Sequence, residues 1–332
     1  MPSVPAVVVE VMTADGLAGV SYLRTYTRIA LRATVQLARE VADLVTGLPG
    51  DPASIRKTLR ARFRLLGSDG LVGAVIAAFD MALWDRYAKA HELSLARALG
   101  SARTSVPAYA SLSAASARDA AREAEELVGR GFRAVKLKGT SDLDQTLAAA
   151  GAVRAAVGSE ISLLVDFNQA LGVQQVLARA REVDRAGLYW IEEPTQADDL
   201  VGHALLADAL ATPVQLGENL RSTNELDALV RVGGVDHLAF DVQRIGGVSG
   251  WRDAAETAGR SGIPVSSHAF GEFSRHLLAA SPTSHLFEFL DHMERVVEEP
   301  IRVEDGEVVL PDRPGAGLAF DERALRRYEV AT

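Results

Sequence analysis

Three acidic residues at one constant interval constrain the fold of this chain more than any other feature. Asp166, Glu192 and Glu218 lie 26 residues apart, and each ends a short apolar run: LLVD, YWIE and VQLGE. The interval accommodates one strand, one loop and one helix, so the three carboxylates are expected to end successive parallel strands. In a closed barrel all such strand ends lie on one face. Because converging carboxylates repel one another without a cation, and all-oxygen ligation favours a hard ion, the pattern predicts a Mg²⁺ site.

The composition excludes several classes of function. The net charge of −9 argues against a nucleic-acid partner, and the absence of cysteine excludes disulfides, thiolate metal sites and a cysteine nucleophile. No apolar run reaches about 18 residues, and the start lacks the basic segment of a secretory signal. We therefore expect a cytoplasmic protein with no membrane partner, and we also expect a homo-oligomer.

The hydrophobic pattern divides the chain into three segments. Residues 1–105 predict a small α+β unit, with a hairpin over 5–23 around the turn TADG and helices over 29–100, where AVIAAFDMALWDRYAKA is the clearest amphipathic stretch. Residues 106–300 alternate strands with helices; the eight strands are VPAYASL, AVKLK, SLLVD, YWIEE, VQLGE, HLAFD, PVSSH and HLFEF. Eight units predict an α/β fold of the (β/α)8 (TIM) barrel type with an α+β capping domain. Residues 301–332 break the rhythm and are expected to return to the capping domain.

Polar residues beside the acidic trio extend the candidate site on one side. Lys136 and Lys138 in AVKLK are two apart, so both side chains point into the barrel mouth. A lysine beside Mg²⁺ and another cation should have a lowered pKa, which suits a general base. Asn168, two residues after Asp166, would offer its amide to the substrate. In IEEP, Glu192 and Glu193 face opposite ways, and the even spacing selects Glu192 as the metal ligand.

A second group of polar residues ends the later strands. Asp241 ends HLAFD and His268 ends PVSSH, which suits a dyad in which the carboxylate fixes the imidazole tautomer and raises its basicity. Glu288 ends the eighth strand and, if kept protonated, could donate a hydrogen bond to a substrate carboxylate as negative charge builds there. The remaining histidines are expected to be structural: His91, His203, His237, His276, His285 and His292.

Two bases on different strands suggest a proton-transfer reaction. Lys138 and His268 would approach one carbon from opposite sides, so that one removes a proton and the other returns it on the opposite face, which is a racemisation. The same pair could instead remove an α-proton and protonate a leaving β-hydroxyl, which is a dehydration.

The sequence resembles the enolase superfamily, specifically its mandelate racemase subgroup. The similarity runs from about residue 5 to the C-terminus and rests on AVKLK, VDFNQ, WIEEPT, LGEN, DVQRIGGVSGW, SSH and LFEFLD. The resemblance implies Mg²⁺ ligation by Asp166, Glu192 and Glu218, with Lys138 as one base and His268, assisted by Asp241, as the other. It further implies that Lys136 and Glu288 polarise a substrate carboxylate, that Ser111 contacts this carboxylate, that Asn168 contacts the substrate hydroxyl, and that Tyr26 lies near the substrate.

The leading prediction is a racemase acting on an aryl or otherwise apolar 2-hydroxy carboxylate. The alternatives are an acid-sugar dehydratase of the same superfamily and an inactive barrel with a binding role. Family members that are dipeptide epimerases or cycloisomerases usually have a lysine in place of His268, which argues against those activities. Compared with the family, the chain is expected to lack the first strand and the mobile loop that follows it. Either the start of the sequence is truncated or misassigned, or the pocket of this protein is open.

Overall fold

A computed structural model describes residues 4–114 and 116–330 of the protein. The first unit begins with an antiparallel hairpin, β1 (Ala6–Met12) and β2 (Ala18–Arg24), in which Ala6 lies opposite Arg24. Three helices cover it: α1 (Arg28–Val45), α2 (Pro52–Arg62) and α3 (Gly70–Ala90). The hairpin turn forms because Gly16 has a positive φ of 80° and the Asp15 carboxylate accepts a hydrogen bond from the Leu17 amide.

The stretch AVIAAFDMALWDRYAKA forms most of α3, but the prediction that it is amphipathic is wrong. Residues of α3 are buried on nearly all sides, because the helix packs against β2, β1, α1 and α2 and also against a helix of the barrel. A helix that is apolar all round is typical of a central position rather than a surface. Strong amphipathicity is found instead in α1, which buries Leu31, Thr34 and Val41 on one face.

Eight strands form the barrel, as predicted. They are β3 (Ser105–Ser111), β4 (Ala134–Lys138), β5 (Ser162–Asp166), β6 (Trp190–Glu192), β7 (Val214–Leu216), β8 (His237–Asp241), β9 (Val265–His268) and β10 (Phe287–Phe289). Strands β3 to β9 are paired in chain order and are parallel, and β10 pairs in parallel with β3. The Ser267 amide donates to the Leu286 carbonyl, so β10 also lies beside β9 and the ring is closed.

The short helix that precedes the first barrel strand and the helices between the strands pack around the barrel. They are α4 (Leu95–Ala98), α5 (Ala117–Gly129), α6 (Leu143–Val157), α7 (Val173–Ala178), α8 (Ala180–Arg185), α9 (Leu200–Ala209), α10 (Thr223–Val232), α11 (Gly247–Arg260) and α12 (Gly271–Ala280). Side-chain caps start several of them; Ser222, for example, accepts a hydrogen bond from the Glu225 amide at the start of α10. None of the helices in the described part of the chain is long and apolar enough to cross a membrane.

Alternation along each strand separates two apolar layers. Val135, Leu163 and Ile191 belong to the large core between strands and helices. Tyr109, Ala134, Leu164 and Trp190 form a separate cluster. Their neighbours two residues on, such as Lys136 and Glu192, carry the polar groups of the strand ends, because residues two apart share a face.

The C-terminal segment contacts both units. Strands β11 (Val303–Glu304) and β12 (Glu307–Val309) form a hairpin, and β12 pairs antiparallel with the start of the barrel strand β3. The chain then reaches the first unit, where the Ala316 amide donates to Asp85 and Gly315 pairs with Ser94. Helix α13 (Glu322–Tyr328) follows. The segment thus contacts the first unit after it has first extended the barrel sheet.

Candidate active site

Three carboxylates at the ends of β5, β6 and just beyond β7 form the centre of the candidate site. One oxygen from each of Asp166, Glu192 and Glu218 lies within 4.8 Å of the other two, and all three residues are buried. Glu192 Oε1 and Glu218 Oε2 have no hydrogen-bond partner. Burial, together with the neighbouring carboxylates, raises the pKa of Glu192 to about 8. Converging oxygens that lack donors are suited to a hard divalent cation, which would satisfy them and offset their repulsion.

Lys136 lies beneath the trio and is completely buried. Its Nζ is 2.8 Å from Glu288 Oε1, 3.1 Å from Glu192 Oε2 and 3.5 Å from Asp166 Oδ2. Burial alone would lower its pKa, but Glu192 and Glu288 raise it well above the usual value. Lys136 is therefore a fixed cation between Glu192 and Glu288.

Lys138, unlike Lys136, is exposed: 46% of its side chain is accessible at the mouth. Its Nζ is 2.5 Å from Asp166 Oδ2 and 2.9 Å from Asn168 Oδ1. Asn168 has a positive φ of 43°, and its backbone amide donates a hydrogen bond to Asp166 Oδ1 at 2.8 Å, which holds the residue in place. An accessible amine that contacts a trio carboxylate is the geometry expected of a proton-transferring group.

His268 approaches the trio from the other side. Its Nδ1 is 2.8 Å from Asp241 Oδ2, and its Nε2 is 3.4 Å from Glu218 Oε2. Asp241 is fully buried and its Oδ1 accepts hydrogen bonds from the Gln243 and Arg244 amides, so its position is fixed by the backbone. Burial would lower the pKa of His268, but Glu218 and the hydrogen bond to Asp241 raise it to about 9. His268 and Asp241 therefore form a hydrogen-bonded pair, in which the carboxylate favours the protonated imidazole.

Glu288 lies between Lys136 and the end of β9, and its surroundings favour the ionised carboxylate. Its two oxygens accept hydrogen bonds from Ser111 Oγ at 2.9 Å and from the Ala269 amide at 3.0 Å. Although burial opposes ionisation, Lys136 and then His268 hold the pKa of Glu288 well below its usual range. Ser111 is thereby brought to the site, where it orients Glu288.

Tyr26 joins the first unit to the dyad. Its hydroxyl donates to Asp241 Oδ2 at 3.1 Å, and the guanidinium carbons of Arg244 and Arg24 lie 4.9 Å and 5.5 Å from its ring centroid. Burial raises the pKa of the Tyr26 hydroxyl, so it remains a donor at all ordinary pH values. The residue expected to lie near the substrate thus also supports Asp241, and two arginines flank it at the mouth.

Sequence reasoning missed a polar group on the far side of the trio. Glu193 has a positive φ of 39°, which breaks the strand alternation and keeps its side chain at the site. Its carboxylate accepts hydrogen bonds from Gln169 Nε2 at 3.1 Å and Asn219 Nδ2 at 2.6 Å. Burial, followed by the charge of Glu218, raises the pKa of Glu193 to about 7. The only sequence signal was the acidic pair before Pro194, which marks the end of a strand.

Among the other histidines, His292 is exposed and lies near Arg24 rather than in the core. It lines a small cleft with Arg24, Leu290 and Met293, and burial, followed by the charge of Arg24, lowers its pKa. The prediction of a structural role fits the others better; His276, for example, is completely buried between the Ala96 amide and the Ala316 carbonyl.

Two protein-family models match the chain. Residues 1–100 match the mandelate racemase / muconate lactonizing enzyme N-terminal domain, and residues 119–324 match the enolase C-terminal domain-like family. The chain is 31% identical to the L-talarate/galactarate dehydratase of Salmonella typhimurium, in an alignment of 332 positions. The alignment covers 98% of this chain and 83% of the dehydratase. It is 30% identical to the 3,6-anhydro-alpha-L-galactonate cycloisomerase of Streptomyces coelicolor, with 98% and 91% covered.

A solved structure is also very similar to this chain. It is an enolase from Bradyrhizobium in complex with magnesium and mandelic acid, with a TM-score of 0.95, 36% identity and coverage of 99% of this chain and 91% of that one. The similarity to a cycloisomerase is notable because His268 was expected to argue against that class of enzyme.

Proposed function

The chain belongs to the mandelate racemase and muconate lactonizing enzyme family of the enolase superfamily, and from this premise we propose that it removes the α-proton of a 2-hydroxy carboxylate with the help of Mg²⁺. The observation that carries the proposal is the position of two proton-transferring groups around the trio. Lys138 contacts Asp166 at one end, and His268 contacts Glu218 at the other. A substrate bound at the trio would therefore have one group on each side of its α-carbon.

Asp166, Glu192 and Glu218 would hold the metal ion. When bound, Mg²⁺ would supply positive charge that stabilises the ene-diolate form of the substrate carboxylate. Lys136 contributes a permanent positive charge beside the same carboxylate. Glu288, which accepts a hydrogen bond from Ser111, fixes the position of the Lys136 ammonium group. Lys138 accepts the α-proton in its neutral form, and Asn168 orients its amine.

The protonated His268 completes the reaction in one of two ways. In a dehydration it donates its proton to the hydroxyl on the β-carbon, which leaves as water, and the remaining enol becomes a 2-keto-3-deoxy acid. In a racemisation it donates the proton to the α-carbon on the face opposite Lys138. Asp241 stabilises the imidazolium before transfer and keeps the remaining proton on Nδ1 afterwards.

We propose dehydration of an acid sugar as the reaction, which reverses the order of preference reached from the sequence. The curated relative from Salmonella is an acid-sugar dehydratase, and its similarity spans nearly the whole chain. The mouth also has a polar rim, in which Arg24 and Arg244 flank Tyr26 and His292 lies close to Arg24. Such a rim favours a substrate with many hydroxyl groups and a second anionic end.

Racemisation of a mandelate-like acid is the second candidate. The Bradyrhizobium structure holds mandelic acid, and apolar side chains such as Leu290 and Met293 also lie near the mouth of this chain. An aryl group could pack against them and against Tyr26.

Proton NMR in D₂O with Mg²⁺ tests both reactions. The enzyme is incubated separately with each enantiomer of mandelate and with a panel of aldonic and aldaric acids. We expect a 2-keto-3-deoxy product from a sugar acid; loss of the mandelate α-proton signal with falling optical rotation and no new product would favour racemisation instead. Absence of α-proton exchange across the panel would contradict the proposed function.

Two variants separate the roles of the opposed groups. For the dehydratase, His268→Asn should still exchange the α-proton but should not release water, whereas Lys138→Met should lose both. For the racemase, each variant should exchange only one enantiomer. The matched controls are His91→Asn and Lys57→Met, which change the same residue types at exposed positions of the first unit and should leave activity intact. Equal loss of exchange in both site variants for every substrate would contradict the two-sided arrangement.

A further inference from the structure

A cavity away from the strand ends contains an unusual concentration of arginine. It has a volume of about 160 Å³ and lies between α12 and the segment that carries β11 and β12. Three arginines line it, together with one acid and the apolar side chains Val309 and Leu310; the charged residues are Arg275, Arg302, Arg313 and Glu299. None of these residues belongs to the candidate active site, and the proposed reaction leaves them without a role.

Arg275 is the most unusual of the three. It lies on α12 and is only 6% exposed. No carboxylate of the described residues is within ion-pairing distance of it, and its one hydrogen bond is a long one of 3.4 Å from Nη2 to the Ala316 carbonyl. Its Nε has no partner. Burial, opposed in part by the charge of Glu272 and assisted by that of Arg313, lowers the pKa of Arg275 to about 10. A buried guanidinium that makes no direct ion pair is costly for the folded state.

Arg313 is only partly satisfied as well. Its Nη1 is 3.3 Å from Glu299 Oε1 and its Nη2 donates to the Gly317 carbonyl, but its buried Nε has no partner. Arg302 is exposed at the rim of the cavity and has no ion pair with any residue of the described ranges. Because Glu299 is 62% exposed and is engaged with Arg313, the cavity has an excess of two positive charges.

We propose that this cavity is a binding site for a small tetrahedral oxyanion, either inorganic phosphate or the phosphoryl group of a small metabolite, held by Arg275, Arg302 and Arg313. An oxyanion offers several acceptor oxygens to the two unpartnered Nε–H groups and balances the excess charge. Guanidinium groups bind such anions through two parallel hydrogen bonds, which a single chloride ion cannot accept. The bound anion would link α12 to the C-terminal segment.

Isothermal titration calorimetry with inorganic phosphate tests the site. The titration uses the full chain with EDTA at constant ionic strength in chloride, so that no divalent cation contributes. We expect saturable binding of one phosphate per chain. Arg302→Gln should weaken it about tenfold, because the exposed rim arginine makes a charged hydrogen bond whose loss has that effect on an affinity. Arg326→Gln, an exposed arginine on α13, is the matched control and should bind like the parent.

The source of the phosphate group is distinguished by a second titration with glycerol 3-phosphate. Tighter binding of the ester would identify a phosphorylated metabolite as the ligand, and tighter binding of phosphate would identify the free ion. Absence of saturable binding of both compounds would overturn the proposal. So would binding that is unchanged in Arg302→Gln but is lost in Lys138→Met, because that result places the anion at the strand ends.

Arg275→Met provides a test through stability. In phosphate-free buffer it should raise the melting temperature, because it removes the uncompensated charge while His276 still donates to the Ala316 carbonyl. Adding phosphate should raise the melting temperature of the parent but not that of the variant. An equal phosphate-induced rise in parent and variant would contradict the assignment of Arg275 to the site.

Discussion

The acidic trio makes a quantitative prediction about stability without metal. Burial and neighbouring charges raise the pKa of Glu192 from 4.5 to about 8, so the folded protein retains a proton that the unfolded chain releases. Between those pH values this one group should lower the stability of the metal-free protein by about 1.4 kcal/mol per pH unit, with a ceiling of about 5 kcal/mol. For a chain of this length that ceiling corresponds to a fall in melting temperature of about 7 °C.

The neighbouring groups add to this effect rather than cancel it. The pKa of Glu193 is raised to about 7, and that of His268 is raised from 6.5 to about 9, so both also contribute stability at lower pH that is lost as pH rises. Asp166 and Glu288 have lowered pKa values, and the stability that they contribute is lost only in acid, below their ordinary values of 3.8 and 4.5. Histidines whose pKa values are lowered by burial, such as His276 and His285, act in the opposite direction below their ordinary pKa of 6.5. The steady decrease is therefore expected from about pH 7 to about pH 8.5.

Differential scanning calorimetry in EDTA and in saturating Mg²⁺ across this pH range measures the effect. Because Mg²⁺ replaces the proton on Glu192, the rise in melting temperature caused by Mg²⁺ should grow with pH. Glu192→Gln should flatten the metal-free slope and remove most of the Mg²⁺ effect, whereas Glu256→Gln, an exposed acid on α11, should change neither. A metal-free melting temperature that is constant or rises from about pH 7 to about pH 8.5 would refute the reasoning.

Two further substitutions test contacts made between the first unit and the barrel. Tyr26→Phe removes the hydroxyl that donates to Asp241, so kcat/KM should fall about tenfold while the Mg²⁺-induced change in melting temperature stays the same; an unchanged kcat/KM would show that this hydrogen bond is unimportant. Asp80, 2% exposed on α3, accepts hydrogen bonds from the Ser249 amide and hydroxyl at the start of α11. Asp80→Ala should therefore cost about 2–3 kcal/mol in the free energy of unfolding, measured by urea denaturation. Asp80→Asn should cost less, because it keeps an acceptor and burial already raises the pKa of Asp80 to about 6; equal losses in both variants would contradict this explanation.

The barrel and its central carboxylates could be predicted because they depend on local alternation. Residues two apart on a strand share a face, so Lys136 and Lys138, or Asp166 at the end of its apolar run, could be placed at the mouth from spacing alone. The constant interval between acids then located the parallel strands. This part of the fold and site required no knowledge of which residues meet in space.

The remaining features depend on tertiary contacts that spacing does not encode. The protonation state of Glu288 was left open, because it depends on Lys136, which lies on a strand far away in the sequence. Glu193 was assigned to the opposite face because the strand was assumed to continue, whereas the backbone turns into a positive φ at that residue. Helix α3 was predicted to have a solvent-exposed face. In the structure the barrel helix α11 covers that helix as well, and this long-range contact has no local signal in the sequence.

The pairing of β3 with strands near the other end of the chain sets an order for folding during synthesis. Strand β3 begins at Ser105, yet its neighbours β10 and β12 lie at 287–289 and 307–309. On a ribosome, the first strand of the barrel must therefore wait with an unpaired edge until nearly all of the chain has emerged. Strands β4 to β9 can pair in sequence during that time, but the ring cannot close. Chaperone contact, proteolysis and aggregation of the nascent chain should accordingly concentrate on this exposed edge until residue 309 leaves the exit tunnel.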